Sequence, residues 1–322
     1  MKKNSLVGVS SLVFSAFLFS STAVFSRILK FNLPVFYQSW TRSIFATIIL
    51  LILILILKSW QKINKKDFIW MFLRSLAGAV GFFGSFFGFI NLPIGVVLFL
   101  FYGGSLFSGY LLGLFMFKEK LTSKKIIALI LAIFGLFLIY YSNFSFNNLV
   151  YEIGSLAAGF GSGTWNVLSK KIPSRYPPLQ LNFLDCLINF FIVFITSLLF
   201  KERWFVPSFN ILWLVNFGFS ATFLITGQLM IYGFRNVSAQ LGSLIMLSEV
   251  LFGIIIGAVL YKEALSLTVL AGGILVIVAM VLPEVKCLYD NHQTALNKKS
   301  NHPRRNRHQP RGKSLDFIIK KY

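Results

Sequence analysis

Few charged side chains lie inside the long apolar stretches of this sequence, and these few are the residues best placed to do chemistry. Glu249 shares a helical face with Gly253, and glycine lets a neighbouring helix or a ligand approach a carboxyl group closely. Asp185 shares a face with Asn182 and Asn189 on an otherwise apolar helix. Because polar groups on such a helix cannot face lipid cheaply, we expect these residues to line a wet cavity.

Each of these groups also has a structural interpretation. Glu249 could be a protonated carboxyl group that bonds two helices, and Asp185 could lie near enough to a helix end to reach the surface. Arg42, with Gln38 one turn before it, could pair with Asp185 or Glu249, bind an anionic solute, or extend its charged head to the surface. For Arg74 we expect extension to the surface.

Weaker candidates complete the predicted solute or proton pathway. Trp165 could stack on a planar solute with Asn166 beside it, and Thr22 belongs to a polar stripe on the first apolar segment. All three histidines lie beyond residue 290, and the sequence has only two cysteines. We therefore expect no metal site, no cofactor and no enzymatic activity.

The composition places the chain in a membrane. Its 322 residues are 56% hydrophobic and 13% charged, and the mean hydropathy is +0.75. A soluble domain carries about 25% charged residues, so this chain has too few to cover a surface in water. The formal net charge of +21 comes from loops between apolar segments and from residues 285–322, which hold ten Lys or Arg and two Asp.

The lengths of the apolar segments set the number of helices. A bilayer core about 30 Å thick needs about 20 apolar residues per helix. The charge-free stretch Ser75–Phe117 is about twice that length, so Asn91–Pro93 must form a turn. We predict an all-α integral membrane protein with ten transmembrane helices at 5–26, 35–57, 68–90, 94–117, 124–142, 149–169, 179–200, 208–232, 237–260 and 265–284.

Basic residues in the loops predict the orientation. With the N-terminus inside, fourteen Lys or Arg fall in inner loops and five in outer loops. By the positive-inside rule both termini are then cytoplasmic. A cleaved signal peptide at 1–26 is the alternative interpretation of the first segment, which we disfavour because its polar stripe recurs later in the chain.

The sequence repeats itself at a shift of 144 residues. Phe117–Thr122 aligns with Tyr261–Ser266, and Gly109 and Gly113 align with Gly253 and Gly257. Each copy holds five predicted helices, an odd number, so the second copy must enter the membrane upside down. Two inverted five-helix repeats are typical of secondary transporters, which bind their solute near the midplane.

These features resemble the EamA-type members of the drug/metabolite transporter superfamily. Each copy ends in a basic-Glu-x-Leu-Thr/Ser sequence followed by a last helix with Gly135 or Gly272. Leu247–Phe252 is similar to the family's Leu-x-Glu-Pro-x-Phe stretch, with Val250 where proline is common, and Arg42 lies where the family often has arginine. The resemblance covers residues 5–284 and implies ten helices and transport of small metabolites, by proton coupling or exchange.

The domain prediction is a first repeat at 1–142, a second at 145–284 and a basic, disordered cytoplasmic tail at 285–322. The predicted function is secondary active transport of a small metabolite or drug-like solute across the plasma membrane, with Glu249 or Asp185 as the proton carrier. A flippase for a lipid-linked intermediate, a passive channel and a non-transporting scaffold are the alternatives. Expected partners are the solute and membrane lipid, with the tail on anionic headgroups rather than on RNA. Nothing in the sequence indicates an oligomeric state.

Overall fold

The computed structural model describes residues 3–29, 32–141 and 148–284, and these residues are helical, with no strand among them. The predicted disordered tail at 285–322 lies outside the described residues. The eleven α-helices are α1 Lys3–Leu29, α2 Val35–Ile56, α3 Lys65–Asn91, α4 Ile94–Phe115, α5 Ser123–Tyr140, α6 Leu149–Leu168, α7 Pro178–Leu199, α8 Ile211–Asn236, α9 Ala239–Met246, α10 Ser248–Tyr261 and α11 Leu267–Val281.

Proline sets several of the helix starts. Pro34 and Pro93 directly precede the first residues of α2 and α4, and Pro177 precedes α7. A proline at this position fixes the backbone and gives up an N–H that a helix start leaves unbonded anyway. The predicted turn at Asn91–Pro93 is confirmed, because α3 ends at Asn91 and α4 begins at Ile94.

Eight helical segments are long and apolar enough to cross a membrane: α1, α2, α3, α4, α5, α7, α8, and α9 taken together with α10. Large apolar side chains such as Ile56, Val259 and Leu267 are exposed on the outer surface. Lipid, not water, is the medium in which such a surface is stable. The protein is therefore a multi-pass membrane protein.

Two helices fall outside that group. α11 is apolar but has only 15 residues, and α6 has 20 residues but carries four glycines, several hydroxyl groups and Glu152. The count of ten transmembrane helices therefore stays a prediction.

The helices of the two repeats pack in a symmetric pattern. Matching the repeats pairs α1 with α6, α2 with α7, α3 with α8, α4 with α9–α10 and α5 with α11. α3 packs on α6 as α8 packs on α1, and α4 packs on α6 as α9 and α10 pack on α1. α2 packs on its own counterpart α7, and α5 packs on α11. The closest packing is thus between repeats and not within them.

The backbone repeats as well as the packing. Lys58, Lys118, Lys201 and Lys262 have φ between 48° and 54°, and each lies at the C-terminal end of a helix. The N–H that follows each lysine bonds to a carbonyl five residues earlier after α2 and α7, and six residues earlier after α4 and α10. Glycine is usual at such left-handed positions, but a cation next to exposed helix carbonyls is favourable.

Neighbouring glycines on α11 offer a matched test of the α5–α11 contact. A Cβ on Gly272 would meet the backbone N of Ile139 at 3.0 Å and its Cγ1 at 2.8 Å, whereas a Cβ on Gly273 would meet only Leu251 Cδ2 at 3.5 Å. We expect Gly272→Ala to lower stability by about 1–3 kcal/mol through overpacking. Gly273→Ala should be neutral or slightly stabilising, since alanine is the better helix former.

The measurement is the thermal unfolding midpoint of both variants, purified in the same detergent. Equal midpoints for the two variants would contradict the close approach of α5 and α11.

Candidate functional site

A cavity of about 250 Å³, mostly apolar but with several polar and charged side chains, is lined by residues of both repeats. Its lining comes from α1 to α4 and from α6 to α10. Six of the nine residues predicted from the sequence line it: Arg42, Trp165, Asn166, Asp185, Asn189 and Glu249. The apolar part of the lining consists of Phe19, Phe82, Phe101, Phe223, Met230 and Met246.

The buried ion pair in this region joins Arg74 of α3 to Asp185 of α7. Ser75 Oγ also donates to Asp185, at 2.6 Å, and Trp165 Nε1 donates at 3.1 Å. Arg74 Nε donates to Ser169 Oγ at 3.0 Å. The expectation that Arg74 extends to the surface is wrong, because its side chain is 1% exposed and is held by a carboxylate.

Arg42 lines the cavity without a carboxylate partner among the described residues. Its Nη2 donates to Ser39 Oγ at 2.9 Å, and its guanidinium carbon lies 3.8 Å from the centre of the Phe219 ring. The sequence left Asp185 and Glu249 open as partners. In the structure Asp185 pairs with Arg74 instead.

Glu249 lies at the start of α10, where the predicted ninth helix is interrupted. Leu247 separates α9 from α10, and Leu247 and Val250 form bonds three residues back instead of four. The interruption is a single tight turn in which Leu247 keeps a right-handed helical backbone, so the predicted ninth span continues over Ala239–Tyr261. A carboxylate in the first turn of a helix is favoured by the helix dipole, and Tyr102 Oη donates to Glu249 at 3.1 Å.

The interruption has no counterpart in the first repeat. Ser105, which aligns with Glu249, lies in the middle of α4, and α4 continues through it. The departure from symmetry thus coincides with the carboxyl group.

The remaining predicted residues lie outside the cavity lining. Gln38 Nε2 donates to the Leu33 carbonyl at 3.4 Å, and Thr22 Oγ1 donates to the Phe19 carbonyl at 2.6 Å within its own helix. Asn182 Nδ2 donates to the Leu224 carbonyl at 2.9 Å and so ties α7 to α8.

Sequence reasoning missed the hydroxyl groups beside Arg42. Ser39 and Ser43 line the cavity with it, and Ser43 Oγ accepts from Asn189 Nδ2 at 2.8 Å. The signal was present in the sequence, since Ser39, Arg42 and Ser43 recur at helical spacing on one face of α2.

A second pair of features links the repeats outside the cavity. Glu119, after α4, pairs with Lys170 at 3.1 Å, and Glu263, after α10, pairs with Arg27. Glu263 aligns with Glu119, and Arg27 aligns with Lys170 at the end of the first helix of the other repeat. The motif glutamate of each repeat therefore forms an ion pair with a basic residue of the other repeat.

The two ion pairs differ in their surroundings. Glu119 accepts hydrogen bonds from the N–H groups of Ala239 at 2.6 Å and Gln240 at 3.2 Å, so it caps the start of α9. Its side chain is 10% exposed and that of Lys170 is 25% exposed, against 46% for Arg27 and 51% for Glu263. These bonds give Glu119 a structural role as a cap.

The glycines that precede the two motif glutamates also differ in their neighbours. Gly109 packs against Ser243 of α9, and Gly113 packs against Gln240. Their counterpart Gly253 has no atom within 4 Å of its Cβ position, and the atoms nearest that of Gly257 belong to Glu263. The bundle is thus closely packed around Gly109 and leaves open space around its counterpart Gly253.

The fold and the cavity define a helical membrane protein made of two matched halves around a shared cavity. The chain belongs to the EamA-like transporter family, whose sequence profile matches residues 6–141 and 149–283. One solved crystal structure is similar to this chain with a TM-score of 0.71 at 16% identity, over 87% of this chain and 96% of the other. No curated protein sequence matches this chain.

The Arg74–Asp185 pair yields a stability prediction. Removing one member of a buried pair costs about 3–5 kcal/mol, because the other charge stays buried without a partner. We expect Asp185→Asn and Arg74→Gln each to lower the unfolding midpoint in detergent strongly, and the double variant to lose less than the sum of both.

Glu249→Gln is the matched comparison, since this cavity carboxyl group accepts one hydrogen bond from a neutral tyrosine. Its loss of stability should be smaller. A stable Asp185→Asn protein would show that the pair does not hold α3 to α7.

Proposed function

We propose that the protein is a secondary transporter that moves a small solute across the plasma membrane by alternating access. The observation that carries the proposal is the unequal state of two equivalent ion pairs. The Glu119 pair caps a helix of the other repeat and is mostly buried, while the Glu263 pair is half-exposed and caps no helix among the described residues. From this difference we infer that the bundle is closed at the Glu119 end and open at the Glu263 end.

We infer ten transmembrane helices and an inverted second repeat. α9 begins beside Glu119, and α10 ends beside Glu263, so the two ion pairs lie at opposite ends of one span. Since each pair follows its own repeat's fourth helix, those helices run in opposite directions. The positive-inside rule assigns the Glu119 end and both termini to the cytoplasm.

The repeat correspondence also specifies the second conformation. The residues that align with Ala239 and Gln240 are Gly95 and Val96, at the start of α4. When the outer end closes, Glu263 should accept the N–H groups of these residues, and the Glu119 pair should separate. A solute in the cavity is then exposed to one side at a time.

As part of this proposal the chain works without catalysis, cofactor or nucleic acid. Its partners are the solute and membrane lipid, with the basic tail at 285–322 in contact with anionic headgroups. The proton carrier is Glu249 rather than Asp185, because Asp185 already accepts from an arginine, a serine and a tryptophan.

The ion-pair model predicts which variant opens the cytoplasmic end. Glu119→Gln removes a charge from the pair and weakens a cap worth about 1 kcal/mol, which is roughly a fivefold change in population. A cysteine at Ser162, which lines the cavity, should then react with an impermeant maleimide from the cytoplasmic side in a Cys287→Ser background.

Glu263→Gln is the matched control, because its pair is already half-exposed, and it should leave cytoplasmic labelling unchanged. Cysteines at the exposed positions Lys120 and Ala264 report the two sides and should label from opposite faces. Labelling of both from the same face would refute the inverted repeat.

Proton coupling can be measured before the solute is identified. Proteoliposomes are loaded with an isotope-labelled bacterial metabolite extract, and release is followed by mass spectrometry under an imposed pH gradient. We expect saturable release of a few solutes that depends on the gradient. Glu249→Gln should remove that dependence, and Tyr102→Phe, which keeps the carboxyl group, should retain it.

The other outcomes select among the alternatives. Gradient-independent release with unchanged kinetics in Glu249→Gln excludes coupling and leaves exchange or facilitated diffusion. Release that never saturates indicates a channel. Activity on lipid-linked substrates indicates a flippase, and the absence of any release indicates a scaffold.

A further inference from the structure

The cavity contains a cation whose charge no described residue neutralises. The described ion pairs join Arg27 to Glu263, Arg74 to Asp185, Lys170 to Glu119 and Arg175 to Asp67, and Arg42 is in none of them. Its contacts are a serine hydroxyl and the face of Phe219. Arginine stays charged at any pH of interest, so this site carries a fixed positive charge.

The two carboxyl groups that line the same cavity are already engaged. Asp185 accepts from Arg74, Ser75 and Trp165. Glu249 accepts from Tyr102 at the start of α10. Neither lies within 4 Å of the Arg42 guanidinium, so the favourable partner for that cation is one that enters the cavity.

The rest of the cavity lining indicates what kind of molecule could bind to this cation. The phenylalanines 19, 82, 101 and 223 face the cavity and suit an apolar group. Asn166 is buried beside them, and its Oδ1 accepts no hydrogen bond from a described residue. A buried acceptor of this kind favours a ligand that carries an N–H or O–H donor. At about 250 Å³ the cavity is smaller than the pockets of 300–1,000 Å³ that hold drug-sized ligands.

We propose that the cavity binds a small organic carboxylate, with the carboxylate on the Arg42 guanidinium and the apolar body against the phenylalanines. The planar guanidinium can hold a carboxylate through two parallel hydrogen bonds. The identification of this ligand class as the cargo rests on the proposed transport function, whereas binding itself does not.

The test uses three probes that share one skeleton: 3-phenylpropanoate, 3-phenylpropanamide and 3-phenylpropylamine. Binding is measured as the shift in unfolding midpoint of the purified full-length protein in detergent. The carboxylate should raise the midpoint, and the neutral amide and the cationic amine should not. 2-Phenylethylphosphonate is included to separate carboxylate from phosphorus oxyanion recognition and should bind more weakly.

Variants at Arg42 and Arg203 test where the carboxylate binds. Arg42→Gln should weaken carboxylate binding roughly tenfold or more, the value expected for hydrogen bonds to a charged group. Arg42→Lys keeps the charge but not the two-pronged geometry, and it should bind with intermediate affinity even if the glutamine variant is unstable. Arg203→Gln removes an exposed cation over Phe205, away from the cavity lining, and should bind like the unaltered protein.

Three results would overturn the proposal: equal binding of the amide or amine, no binding of the carboxylate, or undiminished binding to Arg42→Gln and Arg42→Lys. Carboxylate binding through Arg42 in a protein that releases no metabolite from liposomes would leave this inference standing and refute the transport function. Release of metabolites from liposomes without carboxylate binding would refute this inference and leave the transport function standing.

Discussion

A charged side chain in the hydrocarbon of a membrane costs at least about 2.5–3.5 kcal/mol, and this cost governs where every ionised group of the bundle lies. Arg74 and Asp185 meet the constraint by pairing with each other across α3 and α7. Glu249 lies at a helix start, where it accepts a hydrogen bond from a tyrosine hydroxyl, and Arg42 faces the cavity. Arg42, Asp185 and Glu249 thus share one cavity that helices of both repeats line.

The two repeats give the bundle a symmetric arrangement of helices, and departures from this symmetry distinguish its two ends. Equivalent lysines close equivalent helices, and equivalent ion pairs join the two halves. A perfectly symmetric bundle would be open or closed at both ends alike. Gly109 contacts Ser243 closely, whereas its counterpart Gly253 has no neighbour within 4 Å of its Cβ position, so the two ends differ. The interruption before Glu249 makes one half chemically distinct from the other.

Helix positions could be predicted from the sequence because they follow from local properties. Apolar length and proline placement located most boundaries to within a few residues, as at Pro93. The burial of Arg74 was not predictable in this way, since its partner lies 111 residues along the chain and its position near a segment end suggested the surface. The interruption at Leu247 also escaped prediction, because no glycine or proline marks it. Six of nine candidate residues line the cavity, because a polar stripe on an apolar helix indicates a face turned away from lipid. Such a stripe does not indicate which helix that face contacts.

The close packing of helices from different repeats has a consequence for motion. α1 lies against α8 and α10, and α6 lies against α3 and α4, whereas α2–α7 and α5–α11 form contacts between counterparts. If the bundle moves as proposed, its closely packed units are therefore composites, each with helices from both halves of the chain. The boundary between the sequence repeats is thus not a boundary in the packing, and a cut between the repeats would divide both composite units.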